Sequence, residues 1–377
     1  MYYCALQSKQ VAINHTSGAR GGMVKPCCSF TDSFELPWQH MNIRNFNNFN
    51  EMLLTPDWDK LRKSGKIINC NRCISDEVHT NHSLRSYWNN ELLDDKVQLE
   101  LLHLSVDSLC NMSCLSCSPA QSSTWNKKTN LNILHKEISD SFKSNTSLTD
   151  YVKEFKRVAE NTDYSYLTTL KISGGEPFYS ENFYWFIDHI ASKIDIGKVD
   201  IWINTNASVI PKPHTWELLG KFKSLQLDMS LDAVGEYHNY IRYGSTWNDI
   251  LNFINFVNDN KHDNTTLGVH SVYSILNYNV FEDIIKFCED NKLTHMHSLL
   301  NWPEYLSIFN LPVDYRQKYQ IEDIRMYKTN IALRNPSMVK TPTGKLGRYI
   351  ELMEKENNNS LELVNAELAR CIKLYNL

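Results

Sequence analysis

The segment Cys110-Asn-Met-Ser-Cys114-Leu-Ser-Cys117 places three thiols in eight residues, directly after the apolar run LLHLSV at 101–106. Three is an awkward number. Disulfides take thiols in pairs, and a closed structural zinc site takes four ligands. A metal centre with one position left open fits the count. Thiolates bind iron–sulfur clusters strongly, and a cubane held by three protein thiolates keeps one iron open to an outside ligand.

Outward from that segment, residues from about 100 to about 303 alternate short β-rich runs with amphipathic stretches, the pattern of repeated βα units around a parallel sheet. Strands are predicted at 101–106, 167–173, 199–205, 225–231, 266–275 and 294–300. Between them ENFYWFIDHIASKI, HTWELLGKFK, STWNDILNFINFVNDN and VFEDIIKFCEDN carry apolar residues near a period of 3.6 and read as helices. Cys288, inside the last of these, reads as a small buried hydrophobe. The expected fold is α/β: a partial (βα)6 TIM-like barrel at 96–305, a small loop-rich metal-held module before it at 1–95, and a helical extension after it at 306–377. The polar interval 118–166 is expected to hold one or two helices that cover the site or touch substrate.

Composition narrows the function classes. With 377 residues, 42% hydrophobic and 11% aromatic, the chain can bury a substantial core. Its formal charge of −4 comes without a basic block, which disfavours a general nucleic-acid binder and favours a small or peptidic substrate. No apolar run is long enough to span a bilayer, and MYYCALQSKQ lacks the layout of a secretory signal, so a cytoplasmic location is expected. In that reducing compartment ten cysteines point to metal or redox chemistry rather than to a disulfide framework.

In barrels of parallel strands the active site forms where the strand C-termini and the βα loops converge. CNMSCLSC follows the first predicted strand, Gly174-Gly175-Glu176-Pro177 the second, Asn204-Thr205-Asn206 closes the third, and Ser230-Leu231-Asp232 the fourth. Singly, each passes for ordinary turn chemistry; together they would share one face. His238, His270, Tyr243, Tyr273 and Trp302 also fall near loop or strand ends, where they read as packing more readily than as proton carriers.

C-x3-C-x2-C after the first strand, then SGGEP, NTN and MSLD followed by IR, resembles the radical SAM superfamily over roughly residues 98 to 303. The resemblance implies a 4Fe-4S cluster on Cys110, Cys114 and Cys117, whose open iron S-adenosylmethionine chelates through its amino and carboxylate groups. It further implies an external electron donor of flavodoxin or ferredoxin type, and reductive cleavage to methionine and a 5'-deoxyadenosyl radical that takes hydrogen from substrate. Position by position it implies that Gly174, Gly175 and Glu176 accept from the methionine ammonium, through backbone carbonyls and the carboxylate. Ser230 would contact ribose or carboxylate, Arg242 would pair with that carboxylate, and Asn204 and Asn206 would neighbour ribose or methionine. Two positions depart from the pattern: Ser116 stands where an aromatic residue is common, and Ala207 where glycine usually follows TN.

Cys4, Cys27, Cys28, Cys70 and Cys73 make a second collection, of which four could close a site. A structural zinc module suits Cys70-x2-Cys73; an auxiliary iron–sulfur cluster with four protein thiolates is the other reading. The text YYCALQ, GGMVKPCC, LTPDWDKLRKSGKIINCNRC and NWPEYLSIFNLP resembles radical SAM proteins with a twitch domain, the shortened relative of the SPASM domain. That resemblance implies an auxiliary 4Fe-4S cluster on Cys4, Cys27, Cys70 and Cys73, with Cys28 competing for the second place. It also implies an oxidoreductase that modifies a peptide, protein or small molecule. A nucleotide or RNA modifier, and a non-catalytic zinc or iron–sulfur scaffold, are the alternatives.

Overall fold

The computed structural model describes residues 4–14, 22–30, 41–63, 70, 73–74, 77, 83–92, 94, 96–143, 148–300, 303–338, 340 and 343–377. Eight strands form one sheet: β1 (Gln10–Asn14), β2 (Met23–Lys25), β3 (Leu101–Ser105), β4 (Thr169–Ser173), β5 (Asp200–Thr205), β6 (Ser224–Ser230), β7 (Thr265–Tyr273) and β8 (Thr294–Leu299). Their order is β2-β1-β3-β4-β5-β6-β7-β8, antiparallel between β1 and β2 and parallel everywhere else. The six expected strands are β3 to β8, and the fold is the expected partial barrel.

Register explains how the sheet presents two different faces. Residues two apart on a strand share a face, and parallel partners share it across the ladder. One row reads Leu104, Ile172, Ile203, Leu227, each fully buried. The neighbouring row reads His103, Lys171, Trp202, Gln226. The apolar rows are covered by helices, including Glu181–Lys193, Trp247–Asn260 and Phe281–Asp290, whose inward residues Ile187, Phe253 and Ile284 are fully buried. Local signals start these helices where needed. The Ser180 hydroxyl accepts from Asn182 N and Phe183 N, and Thr246 forms a capping box with Asp249.

Two strands of the N-terminal region join the barrel sheet. β1 extends the barrel sheet from the β3 edge, with Gln10 beside Leu101 and Ile13 beside Leu104. Trp58 is fully buried and its indole N–H donates to Gln7 O at 2.7 Å, so this segment shares one continuous core with the barrel. β2 is only three residues long, and β1 is not followed by the amphipathic helix that marks the barrel's βα units.

The interval after β3 holds a 3-10 turn at Ser123–Lys127 and helices at Leu131–Glu137 and Leu148–Glu160. At the C-terminus, helix Lys345–Asn357 is followed by a break at Asn365, whose side chain caps Ala366–Tyr375 by accepting from Leu368 N at 3.1 Å. Among the described residues no helix is long and apolar enough to cross a membrane. Trp302 lies outside the described residues.

Candidate active site

The loop after β3 is pinned from three directions. Ser113 N donates to Tyr243 O and Leu115 N to Ile241 O, both at 2.8 Å, so Cys114 sits between two bonds to the segment that carries Arg242. Ser122 Oγ and Thr124 Oγ1 donate to the carbonyls of Met112 and Cys110, each at 2.5 Å. From the C-terminal helix, Tyr349 Oη donates to Leu115 O at 2.8 Å. The long interval after β3 and the C-terminal extension therefore back the cysteine loop.

The end of β4 crosses the start of this loop at close range. Gly175 N donates to Asp107 O and Glu176 N to Leu109 O. A Cβ on Gly175 would fall 2.1 Å from Leu109 O, and Gly174, at φ +122°, faces Asp107 O and Ser105 Oγ at 2.8 Å. Both glycines are therefore dictated by this crossing.

A cavity of about 430 Å³ opens at these strand ends. Cys110, Cys114 and Cys117 line it, with Ser116 between them, and Gly174, Gly175, Asn204, Asn206, Ser230 and Arg242 complete that side. His103, Ser173 and Val272 come from the strands themselves. From the N-terminal region, Ala12, Lys25, Cys27 and Cys28 face the same space. Cys27 and Cys28 of the second collection thus reach the cavity that the first collection lines.

Three of the expected site residues already have partners within the protein. Glu176 is 1% exposed and absent from the cavity wall. Its carboxylate accepts from Phe178 N at 3.0 Å, Thr205 Oγ1 at 2.8 Å and Asn206 N at 2.6 Å, leaving Gly174 and Gly175 as the residues of this motif at the wall. Burial pushes its carboxyl up to about 7 against the pull of those three donors. Glu176 thus ties the end of β4 to the end of β5. Arg242 already has an anionic partner, since its Nη2 lies 2.7 Å from Asp232 Oδ2. Asn206 is committed as well: its Nδ2 donates to Asn111 Oδ1 at 3.0 Å and approaches Cys110 Sγ at 3.9 Å, while its Oδ1 accepts from Ser208 N at 2.9 Å.

The thiols respond to burial and to one another. Burial pushes Cys110 up to about 12, with Cys114 reinforcing it, and lifts Cys114 and Cys117 as well; the Arg242 guanidinium opposes the rise at both of the latter. In the N-terminal set burial raises Cys4 to about 11 and Cys70 to about 12, and Cys27 rises too. Cys28, Cys4 and Cys70 act electrostatically on Cys27, Cys4 also acts on Cys70, and Cys73 acts on Cys4 and Cys70, so all five form one neighbourhood. Cys28 is exposed whereas Cys27 is buried. Among the described residues no three His, Cys, Asp or Glu side chains converge on the position of a single metal ion. A cubane has a different requirement, because each thiolate takes its own iron. Three soft donors from one loop, beside a cradle of glycine carbonyls, suit such a group.

The remaining candidates are structural in position. His238 is fully buried with Nε2 3.2 Å from Ser245 Oγ, and Tyr273 is fully buried against Phe281. His270 Nε2 is 3.0 Å from Ser298 Oγ, and Tyr243 lies under the Lys128 ammonium at 4.4 Å. Ala207 keeps the turn expected of glycine, at φ +56°.

Residues 105–288, from the end of β3 to the helix after β7, match the sequence model of the Radical SAM superfamily. No functionally curated protein matches the chain significantly. Among solved structures, Streptococcus suis SuiB bound to S-adenosylmethionine is similar at 15% identity and TM-score 0.39, over 74% of this chain and 56% of that one. SuiB bound to the precursor peptide SuiA gives 16% and 0.38, over 74% and 53%. Native anSMEcpe with bound AdoMet gives 14% and 0.39, over 62% and 63%. The chain thus spans less than two thirds of the length of these proteins.

Proposed function

We propose that this chain is a radical SAM enzyme with two 4Fe-4S clusters, acting on a peptide, protein or small molecule and leaving it oxidised. The observation that carries the reading is the convergence of Cys110, Cys114 and Cys117 on the cavity that also holds the Gly174–Gly175 crossing and Arg242. Cys110, Cys114 and Cys117 would hold a cluster able to supply one electron for reductive cleavage of S-adenosylmethionine, and the cavity beside them would receive the substrate that gives up a hydrogen atom.

This chain's own residues would prepare that event. Cys110, Cys114 and Cys117 hold three irons, and the Gly174 and Gly175 carbonyls accept from the ammonium of methionine. Ser230 and Asn204, on the wall, offer polar contacts to ribose, while His103, Ser173 and Val272 shape the floor. The N-terminal set, Cys4, Cys27, Cys70 and Cys73, would hold the auxiliary cluster, with Cys27 at the cavity wall, and that cluster would accept an electron released by substrate. An external flavodoxin- or ferredoxin-type protein would supply the first electron. The lack of a basic block in the sequence favours a peptidic or small substrate over RNA.

Anaerobic reconstitution tests the reading. Two clusters require about eight irons per chain, and one cluster with zinc about four. Dithionite and S-adenosylmethionine should then release 5'-deoxyadenosine. Full iron loading without that product, unaltered by Cys114→Ala, would refute the enzyme.

A further inference from the structure

Arg242 is 8% exposed and lines the cavity, yet its charge is already matched by Asp232. Asp232 is itself fixed: Oδ1 accepts from Val272 N at 2.9 Å, and its backbone carbonyl accepts from Asn277 Nδ2 at 2.8 Å. The bonds from Ser113 N and Leu115 N to the residues flanking Arg242 set the arginine opposite Cys114. Among the described residues its Nε is buried without a hydrogen-bond partner, and Asp232 Oδ2 meets the guanidinium as an ion pair only. A guanidinium with one edge clamped and another donor unmatched, held against the thiol loop, is placed to act on what those thiols carry.

We propose that Arg242, clamped by Asp232, sets the reduction potential of the cluster on Cys110, Cys114 and Cys117, in place of serving as the partner of the S-adenosylmethionine carboxylate. The inference rests on the proposed cluster. Reduction adds one electron from the external donor and breaks no bond, so the cluster becomes more negative by one charge. Cluster potential follows net charge and hydrogen bonds to the sulfurs, and a fixed cation favours the more negative state. Asp232 works in the opposite sense, so the pair sets the potential by difference.

Potentiometric titration of the reconstituted enzyme without S-adenosylmethionine, read by electron paramagnetic resonance of the signal that Cys114→Ala removes, tests this. Arg242→Gln should lower the reduced-to-oxidised ratio at fixed poise at least tenfold, about 59 mV for a one-electron couple. Asp232→Asn should raise that ratio, and Arg242→Lys should recover part of the loss. Shifts of the same sign in Arg242→Gln and Asp232→Asn would mean distortion of the loop and overturn the proposal. An unchanged ratio in Arg242→Gln with weakened S-adenosylmethionine binding would overturn it in favour of a carboxylate ligand. A wild-type chain with no signal that depends on Cys114 would overturn the cluster reading itself, and the proposal with it.

Discussion

The two sets of thiols are built in opposite ways. Cys110, Cys114 and Cys117 come from one loop of eight residues, held by backbone bonds to Ile241 and Tyr243 and by the hydroxyls of Ser122 and Thr124. Cys4, Cys27, Cys70 and Cys73 come from separated segments. Cys4 precedes the helix Leu6–Lys9, Cys27 follows β2, and Cys70 and Cys73 lie some forty residues further on. A site written into one loop keeps its order through local bonds, whereas a site gathered from distant segments depends on the sheet that gathers them. Here that sheet is β1 and β2, added to the barrel edge beside β3.

Cys114→Ala breaks the first set most directly. Release of 5'-deoxyadenosine should fall to the level of a reaction without enzyme, with loss of about four of about eight irons. Retained cleavage would remove the mouth loop from the chemistry. In the second set, Cys70→Ala should also lose about four irons, yet keep S-adenosylmethionine cleavage and lose substrate oxidation. Cys28→Ala should retain all the iron, since Cys28 is exposed at the cavity while the other four N-terminal thiols are buried. Iron loss in Cys28→Ala with full loading in Cys27→Ala would exchange the two assignments.

Glu176→Gln probes why the mouth loop is stiff. The carboxylate gathers Phe178 N, Thr205 Oγ1 and Asn206 N, and an amide in its place would point a donor at a donor, costing about 1–3 kcal/mol. The pH dependence has a definite sign. A buried carboxyl raised from 4.5 to about 7 binds its proton more tightly when folded. Its contribution to stability is therefore greatest below 4.5, declines as pH rises towards 7, and is level above that. Chemical denaturation of wild type and variant should show the wild-type advantage shrinking across this window by up to about 3 kcal/mol. An advantage that grew with pH would mean that the three donors outweigh burial and keep the group ionised.

The contrast also explains what could be read from the sequence. The mouth set was legible because its spacing is local and its strands are regular: β3 to β8 begin and end within two residues of the expected runs. The turning of Glu176 away from the cavity was not legible, because it depends on donors from β5 that no local pattern announces. The Arg242–Asp232 pair, ten residues apart and joined across a helix, is hidden for the same reason. The N-terminal set was legible as a count of thiols but not as a place. That Cys27 reaches the cavity follows from β1 pairing with β3, some ninety residues away in sequence, a long-range pairing that no local pattern announces.

Ala207 offers the finest test of how far the mouth depends on its local turn. It adopts φ +56° while fully buried, with its N–H donating to Thr205 Oγ1 at 3.0 Å. The left-handed conformation costs a residue with a Cβ about 1–2 kcal/mol, which glycine would relieve. Glycine would also give up a buried methyl, about 0.8 kcal/mol, and bring a more flexible unfolded chain, about 0.4–1 kcal/mol. These terms nearly cancel, so Ala207→Gly should change stability by less than about 0.5 kcal/mol in denaturant titration and leave S-adenosylmethionine affinity unaltered. A gain well above that would identify Ala207 as stored strain at the end of β5. A matching loss would make its methyl part of the packing behind Asn206 and Cys110, and the turn would then be fixed by the buried surroundings rather than by its own residue.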